Sequence, residues 1–182
     1  GANLLLNQSP KNAFKLAVDL NNYNKERQIL ETELLKRILN TDYNNSTEPV
    51  VIIHGENWHE GIIGIIAARV KEKFNKPAIV ISVNNGIGKG SGRSVLGFDL
   101  GSTIIGAVQS GLLTKGGGHK MAAGFTIDMN KIENFKDFVF RKFKSVNINL
   151  EEKKNYYFDA EIAPSAVNIN FFEKVNLLAP FG

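Results

Sequence analysis

Residues 50–83 carry the pattern that most restricts what this chain can fold into. "VVIIHG", starting at Val50, is a short apolar run closed by glycine. "HEGIIGIIAARVKEKF", starting at His59, has the length and apolar spacing of a helix, and "PAIVISV", starting at Pro77, is a second apolar run. Two runs this apolar cannot leave a face in water, so both read as buried strands. A helix between two buried strands most simply joins parallel neighbours in one sheet. The expectation is an α/β fold: a mixed central sheet with flanking helices, preceded by a long connecting helix.

The other elements follow from the same periodicities. Ser9-Pro10 is a helix start, with serine as cap and proline in the first turn. Apolar residues at Phe14, Ala17 and Val18, then at Leu30, Leu34, Leu35, Ile38 and Leu39, keep helical spacing, with Asn21-Asn22 as an expected interruption. "KERQILETELLKRIL" is charged between its apolar positions and reads as a connecting helix. Residues 40–49 read as a polar linker. "GIGKGSGRSV" is an extended glycine-rich strand, "GSTIIGAVQSGLL" a short helix and "AGFTIDM" a strand. "KIENFKDFVFRKFKSV" is an amphipathic helix turning Phe135, Phe138 and Val139 inward. A new strand is expected at "NYYFDAEI", then a short helix and "LLAPFG". No internal repeat or low-complexity tract is present.

Composition narrows the class. Hydrophobic residues are 43% of the 182, enough for a core. There is no cysteine, which excludes disulfides and thiolate metal sites. No apolar stretch of about 18 residues and no signal-peptide pattern occurs, so the expectation is a soluble cytoplasmic protein with no membrane contact. The net charge of +4 permits an acidic partner such as nucleic acid. Lysine far outnumbers arginine, however, and asparagine and isoleucine are abundant, a bias that AT-rich coding alone produces.

Two glycine-rich basic segments stand out. In "GKGSGRS", starting at Gly88, Gly-Lys is not followed by Ser or Thr, so this is no Walker A loop, and it does not fit the dinucleotide fingerprint. On a strand, Lys89, Ser91 and Arg93 share one face and Gly88, Gly90 and Gly92 the other. The first face offers an ammonium, a hydroxyl and a guanidinium fork suited to phosphate. The second allows another backbone to approach. The alternative is a glycine hairpin with solvated charges. In "TKGGGHKMAAGF", starting at Thr114, three glycines precede His119 and Lys120. Such a run can aim backbone N–H groups at an anion, or it can be a loop with a structural histidine. In "HGENWHEG", His54 and His59 lack the helical spacing of a zinc site, so no metal is expected there. Trp58 is expected to pack and Glu60 to sit in a helix's first turn. No paired carboxylates with a supporting histidine appear.

Taken together, "ENWHEGIIGIIAARVKEKFNKPAIVIS", "GKGSGRS" and "GGGHKMAAGF", in this order and spacing, resemble the RecJ family of single-strand-specific DNA exonucleases within the DHH phosphoesterase superfamily. The resemblance covers nearly the whole chain. It implies three parts: residues 1–47 as the tail of a catalytic DHH domain and its connecting helix, 48–148 as the DHH-associated substrate-binding domain, and 149–182 as the truncated start of an oligonucleotide-binding domain. It implies 5′→3′ digestion of single-stranded DNA in repair and recombination, with Mn²⁺ or Mg²⁺ held by the DHH domain. The motifs of that metal site are absent here, so the chain is expected to bind no metal and to supply grip without catalysis. By the same resemblance Ser91 and Arg93 hold the 5′ phosphate, and Lys89, on the same strand face, is expected to be a further nucleic-acid-binding residue. Gly117, Gly118 and His119 then line the cleft against the nucleotide. Two other functions stay open: a phosphodiesterase of the same superfamily for short oligonucleotides or cyclic dinucleotides, and a non-catalytic single-strand-binding module.

Overall fold

The computed structural model describes residues 1–39, 48–146 and 158–179. The chain divides into two compact units, Gly1–Leu150 and Glu151–Gly182.

The first unit opens with α1 (Ala2–Leu5) and the long α2 (Pro10–Leu39). The Ser9 carbonyl accepts the first helical bond of α2, from Ala13 N at 2.9 Å. Asn21 and Asn22 do not interrupt it. Each asparagine costs less than about 0.7 kcal/mol relative to alanine in a helix, too little to break one flanked by good helix formers. Only Leu34 and Ile38 of α2 are buried, as suits a connecting element.

The alternation of strand and helix then builds one sheet from β1 (Val51–Glu56), β2 (Ala78–Asn84), β3 (Ile87–Arg93), β4 (Lys115–His119) and β5 (Ala122–Asp128), in the order β1-β2-β3-β5-β4. β1 and β2 are parallel, joined by α3 (Glu60–Phe74); all other pairs are antiparallel. His59 caps α3, its Nδ1 accepting from Gly61 N at 3.1 Å, and Glu60 lies in the first turn. Asn75 ends the helix in the left-handed region. Asn85 and Gly86, both at positive φ, form the tight turn between β2 and β3. Trp58 packs as expected: a Cβ on Gly55 would strike its ring, and its carbonyl accepts from Ser82 Oγ at 2.6 Å.

Each sheet face has its own core. On one, Val51, Ile53, Ala78 and Val80 pack beneath Ile62, Ile63, Ile66 and Val70 of α3, with Leu34 and Ile38 of α2. On the other, Ile79, Ile81, Phe125 and Ile127 pack against α4 (Leu100–Gln109) and α5 (Ile132–Lys144) through Leu100, Ile104, Phe135, Val139 and Phe143. Phe138, expected to face inward, is partly buried against this core. The α3 side contributes no residue of β4 or β5 to its core, so among the described residues α3 does not extend over that end of the sheet face.

The linker expected at residues 40–49 falls largely outside the described residues, as do residues 155–157 of the expected strand. Residues 158–162 belong to no strand. In the second unit α6 (Ile169–Asn176) is capped by the Asn168 side chain, which accepts from Phe171 N at 3.0 Å. No helix among the described residues is long and apolar enough to cross a membrane.

Candidate nucleic-acid interface

β3 divides the sheet's two environments as its alternation requires. Gly88, Gly90 and Gly92 are buried, while Lys89, Ser91 and Arg93 are half-buried on the opposite face. The reason for the glycines differs from the expected approach of a backbone. A Cβ on Gly88 would lie 2.8 Å from methyl groups of Ile81 and Ile127, one on Gly92 would lie 2.7 Å from Leu100 Cδ2, and one on Gly90 would enter the ring of Phe125. Apolar side chains of the core lie across β3, and any side chain there would displace them.

The triple glycine is not a loop. It forms β4, the edge strand, paired with β5 by Gly117↔Gly124 and His119↔Ala122. Successive glycines therefore face opposite sides and do not converge on one point. Gly116 faces the core, where a Cβ would meet Ile104 Cγ2 at 2.7 Å. A Cβ on Gly118 would run into Ala122 and Ala123 across the hairpin. Gly117 alone of the three has nothing within 4 Å of the place a Cβ would take.

Reading the register across β3, β5 and β4 gives three rows on the open face: Lys89–Thr126–Lys115, Ser91–Gly124–Gly117 and Arg93–Ala122–His119. Directly opposed residues project to the same side. The middle row is a floor of backbone with a single hydroxyl. Cationic side chains stand in the rows at either end, about 7 Å away along the strands. The result is a shallow trough, floored with glycine and rimmed with positive charge.

Neighbouring elements fix its walls. Gly64 of α3 passes so close that a Cβ there would lie 3.1 Å from Ser91 Oγ and 3.2 Å from Arg93 Nη2. Arg93 Nη1 donates to the Gly92 carbonyl at 2.9 Å and to Ser91 Oγ at 3.3 Å. Its other N–H groups bond nothing among the described residues, which leaves most of the fork for a ligand. From the other face of the sheet, the turn after β4 is tied to the start of α4: Leu100 N donates to Lys120 O at 3.1 Å, and a Cβ on Gly101 would lie 2.9 Å from the His119 carbonyl carbon. Asp99 caps α4, its Oδ1 accepting from Ser102 N at 2.9 Å. That bond, helped by the nearby Lys120 charge, holds the Asp99 carboxyl below its ordinary value of 3.8 against a smaller opposing effect of desolvation.

None of Lys89, Arg93 and Lys115 makes an ion pair among the described residues. Nor does any group of three His, Cys, Asp or Glu there stand close enough to hold a metal ion. Apart from the lone His119, the trough's side chains are cationic or hydroxyl-bearing, and among the described residues no carboxylate joins them to make a divalent-cation site. They fit an anion.

Residues 47–145, more than half the chain, match the DHHA1 domain. The chain belongs to the DHHA1 family. It is similar to single-stranded-DNA-specific exonuclease RecJ of Dickeya dadantii, 34% identical over 75% of this chain and 25% of that protein. It is also similar to that of Bacillus subtilis, 28% identical over 98% of this chain and 23% of that protein. Among solved structures it resembles Thermus thermophilus RecJ in complex with Mn²⁺, with a TM-score of 0.81 and 26% identity over 98% of this chain and 26% of that one. The same protein has been solved with Mg²⁺. The chain spans about a quarter of the length of these relatives. The resemblance to RecJ that the motifs carry is thus shown in both sequence and fold.

This DHHA1 domain brings Lys89, Ser91, Arg93, Gly117 and His119 onto one face, with Gly118 turned to the other. Sequence reasoning missed Gly124, Thr126 and Lys115. The signal was present for the first two. In "AAGFTID" of β5, Ala122, Gly124 and Thr126 alternate with the apolar Ala123, Phe125 and Ile127, so a glycine stands on the polar face of a strand where burial does not demand one.

Proposed function

We propose that this chain is the substrate-gripping part of a RecJ-like 5′→3′ single-stranded DNA exonuclease of DNA repair and recombination, and that the trough takes the strand's 5′-terminal phosphate and nucleotide. The observation that carries this reading is the glycine floor: Gly124 and Gly117 leave bare backbone between two cationic rows where the core does not require it. Arg93 offers a planar fork to the terminal phosphate dianion, with the Ser91 hydroxyl beside it. The sugar-phosphate lies over Gly124 and Gly117, bounded by His119. In this reading residues 1–47 are the tail of a DHH domain with its connecting helix, 48–148 the substrate-binding domain, and 149–182 the start of an oligonucleotide-binding domain. Water activation by Mn²⁺ or Mg²⁺ is the work of the DHH domain, and no step is assigned to residues of this chain. The exonuclease names and the Mn²⁺ and Mg²⁺ complexes of its relatives support the reading.

The test compares oligonucleotides with and without a 5′ phosphate. A charge-assisted bond contributes about 1.5–3 kcal/mol, about tenfold to a hundredfold in affinity. Arg93→Ala should weaken binding of the 5′-phosphorylated strand by at least about tenfold and barely change binding of the 5′-hydroxyl strand. Arg93→Lys should recover part of the loss. Equal weakening of both strands, or a variant that melts at a much lower temperature, would show that Arg93 braces the fold instead.

A further inference from the structure

The row farthest from Arg93 contains a cluster that the terminal-phosphate reading does not use. Lys89 Nζ donates to Thr126 Oγ1 at 3.2 Å, so its ammonium is folded across β5 toward β4. Thr126 is buried, at 8% exposure, although it stands on the same sheet face as Lys89 and Lys115. Lys115, directly opposite Thr126 on the edge strand, is exposed. Adjacent strands are about 5 Å apart, so the Lys115 stem can bring its ammonium over the same hydroxyl. The nearest carboxylate along this face of β5, Asp128, is paired with Lys131 at 3.7 Å. One lysine thus bonds this hydroxyl and a second stands within reach of it, and neither is paired with a carboxylate among the described residues; bringing both ammonium groups there is unfavourable unless an anion joins them.

We infer that Lys89, Lys115 and the Thr126 hydroxyl form a second phosphate site, which takes an internucleotide phosphodiester of the strand whose 5′ end lies at Arg93. This rests on the trough reading and extends it. Lys89 and Arg93 are four residues apart on β3, about 13 Å, farther than a single phosphate can bridge. The two ends also differ in chemistry. Arginine's fork matches a terminal dianion, whereas mobile ammonium groups suit a singly charged diester that passes at varying angles. The site therefore grips by strand length and not by the state of the 5′ end.

The experiment measures binding of the full chain to thymidine 5′-monophosphate and to a 5′-phosphorylated oligothymidylate about eight nucleotides long, across a salt series. Lys89→Gln combined with Lys115→Gln should weaken the oligonucleotide about threefold to tenfold at low salt. It should flatten the log–log salt slope by about 0.7, one phosphate's worth on a single strand, and leave the mononucleotide unchanged. Lys115→Arg in the Lys89→Gln background should recover part of the loss, and thermal unfolding should not move. An unchanged oligonucleotide affinity and slope, with Arg93→Ala still selective for the 5′ phosphate, would overturn the second site and leave the first standing. An equal loss on the mononucleotide would also overturn it, because the lysines would then belong to the terminal-phosphate site. Loss of the Arg93→Ala selectivity is the separate result that would overturn the trough reading itself.

Discussion

At the scale of single residues, the glycines of this sheet serve two purposes, and substitution separates them. A Cβ on Gly90 would strike Phe125, whereas nothing among the described residues lies within 4 Å of the place a Cβ on Gly117 would take. Gly90→Ala forces the ring aside and should cost about 1–3 kcal/mol in chemical denaturation, the usual range for overpacking. Gly117→Ala should leave stability unchanged or raise it by up to about 1 kcal/mol, since alanine is the better residue wherever space and backbone allow. The same substitution should weaken single-stranded DNA binding by intruding on the floor. A Gly117→Ala chain that binds as tightly as the parent would remove that residue from the site. Alternation within "GKGSGRS" was enough to assign Lys89, Ser91 and Arg93 to one face. It could not say what lies over the other, because the ring that covers Gly90 comes from Phe125 on a different strand.

At the scale of elements, the start of α4 holds the turn that follows β4 from beneath the sheet, and the cap of α4 makes its stability measurable. The Asp99 carboxylate is held below its ordinary value by the bond from Ser102 N. A carboxyl whose folded value is depressed stabilises the fold fully above its unfolded value and loses that contribution as pH falls through the folded one. The gap in melting temperature between the parent and Asp99→Ala should therefore be full well above 3.8 and close as acid titrates the cap. A gap that stayed constant in acid would show that Asp99 acts through packing and not through its charge. The elements themselves were largely legible, because residues 50–83 and the helix at 131–146 have strong periods. The exceptions have physical causes. "KGGGH" has no strand propensity of its own and becomes β4 only because β5 offers a partner edge. Asn21-Asn22 is too weak a breaker to stop a helix of 30 residues.

At the scale of the molecule, α4 and α5 cover one face of the sheet, whereas among the described residues the core under α3 on the other face stops short of β4 and β5. Sequence motifs pointed to two glycine-rich segments; only the strand order β3-β5-β4 joins them into one surface, and that order is not written in either segment. Because no cluster of three His, Cys, Asp or Glu stands together among the described residues, the chain by itself should show no nuclease activity with Mn²⁺ or Mg²⁺. Labelled single-stranded DNA incubated with highly purified chain checks this, and metal-dependent digestion that survives further purification would contradict it. The most direct test of the central claim is a backbone-amide NMR titration of the isotope-labelled chain with a short 5′-phosphorylated oligothymidylate. The amides of Ser91, Arg93, Gly117, His119 and Gly124 should shift together, at one midpoint, with little change along α5 or in residues 158–179. Shifts confined to α5 or to residues 158–179, with those five amides unmoved, would contradict the assignment of the open sheet face as the site of grip.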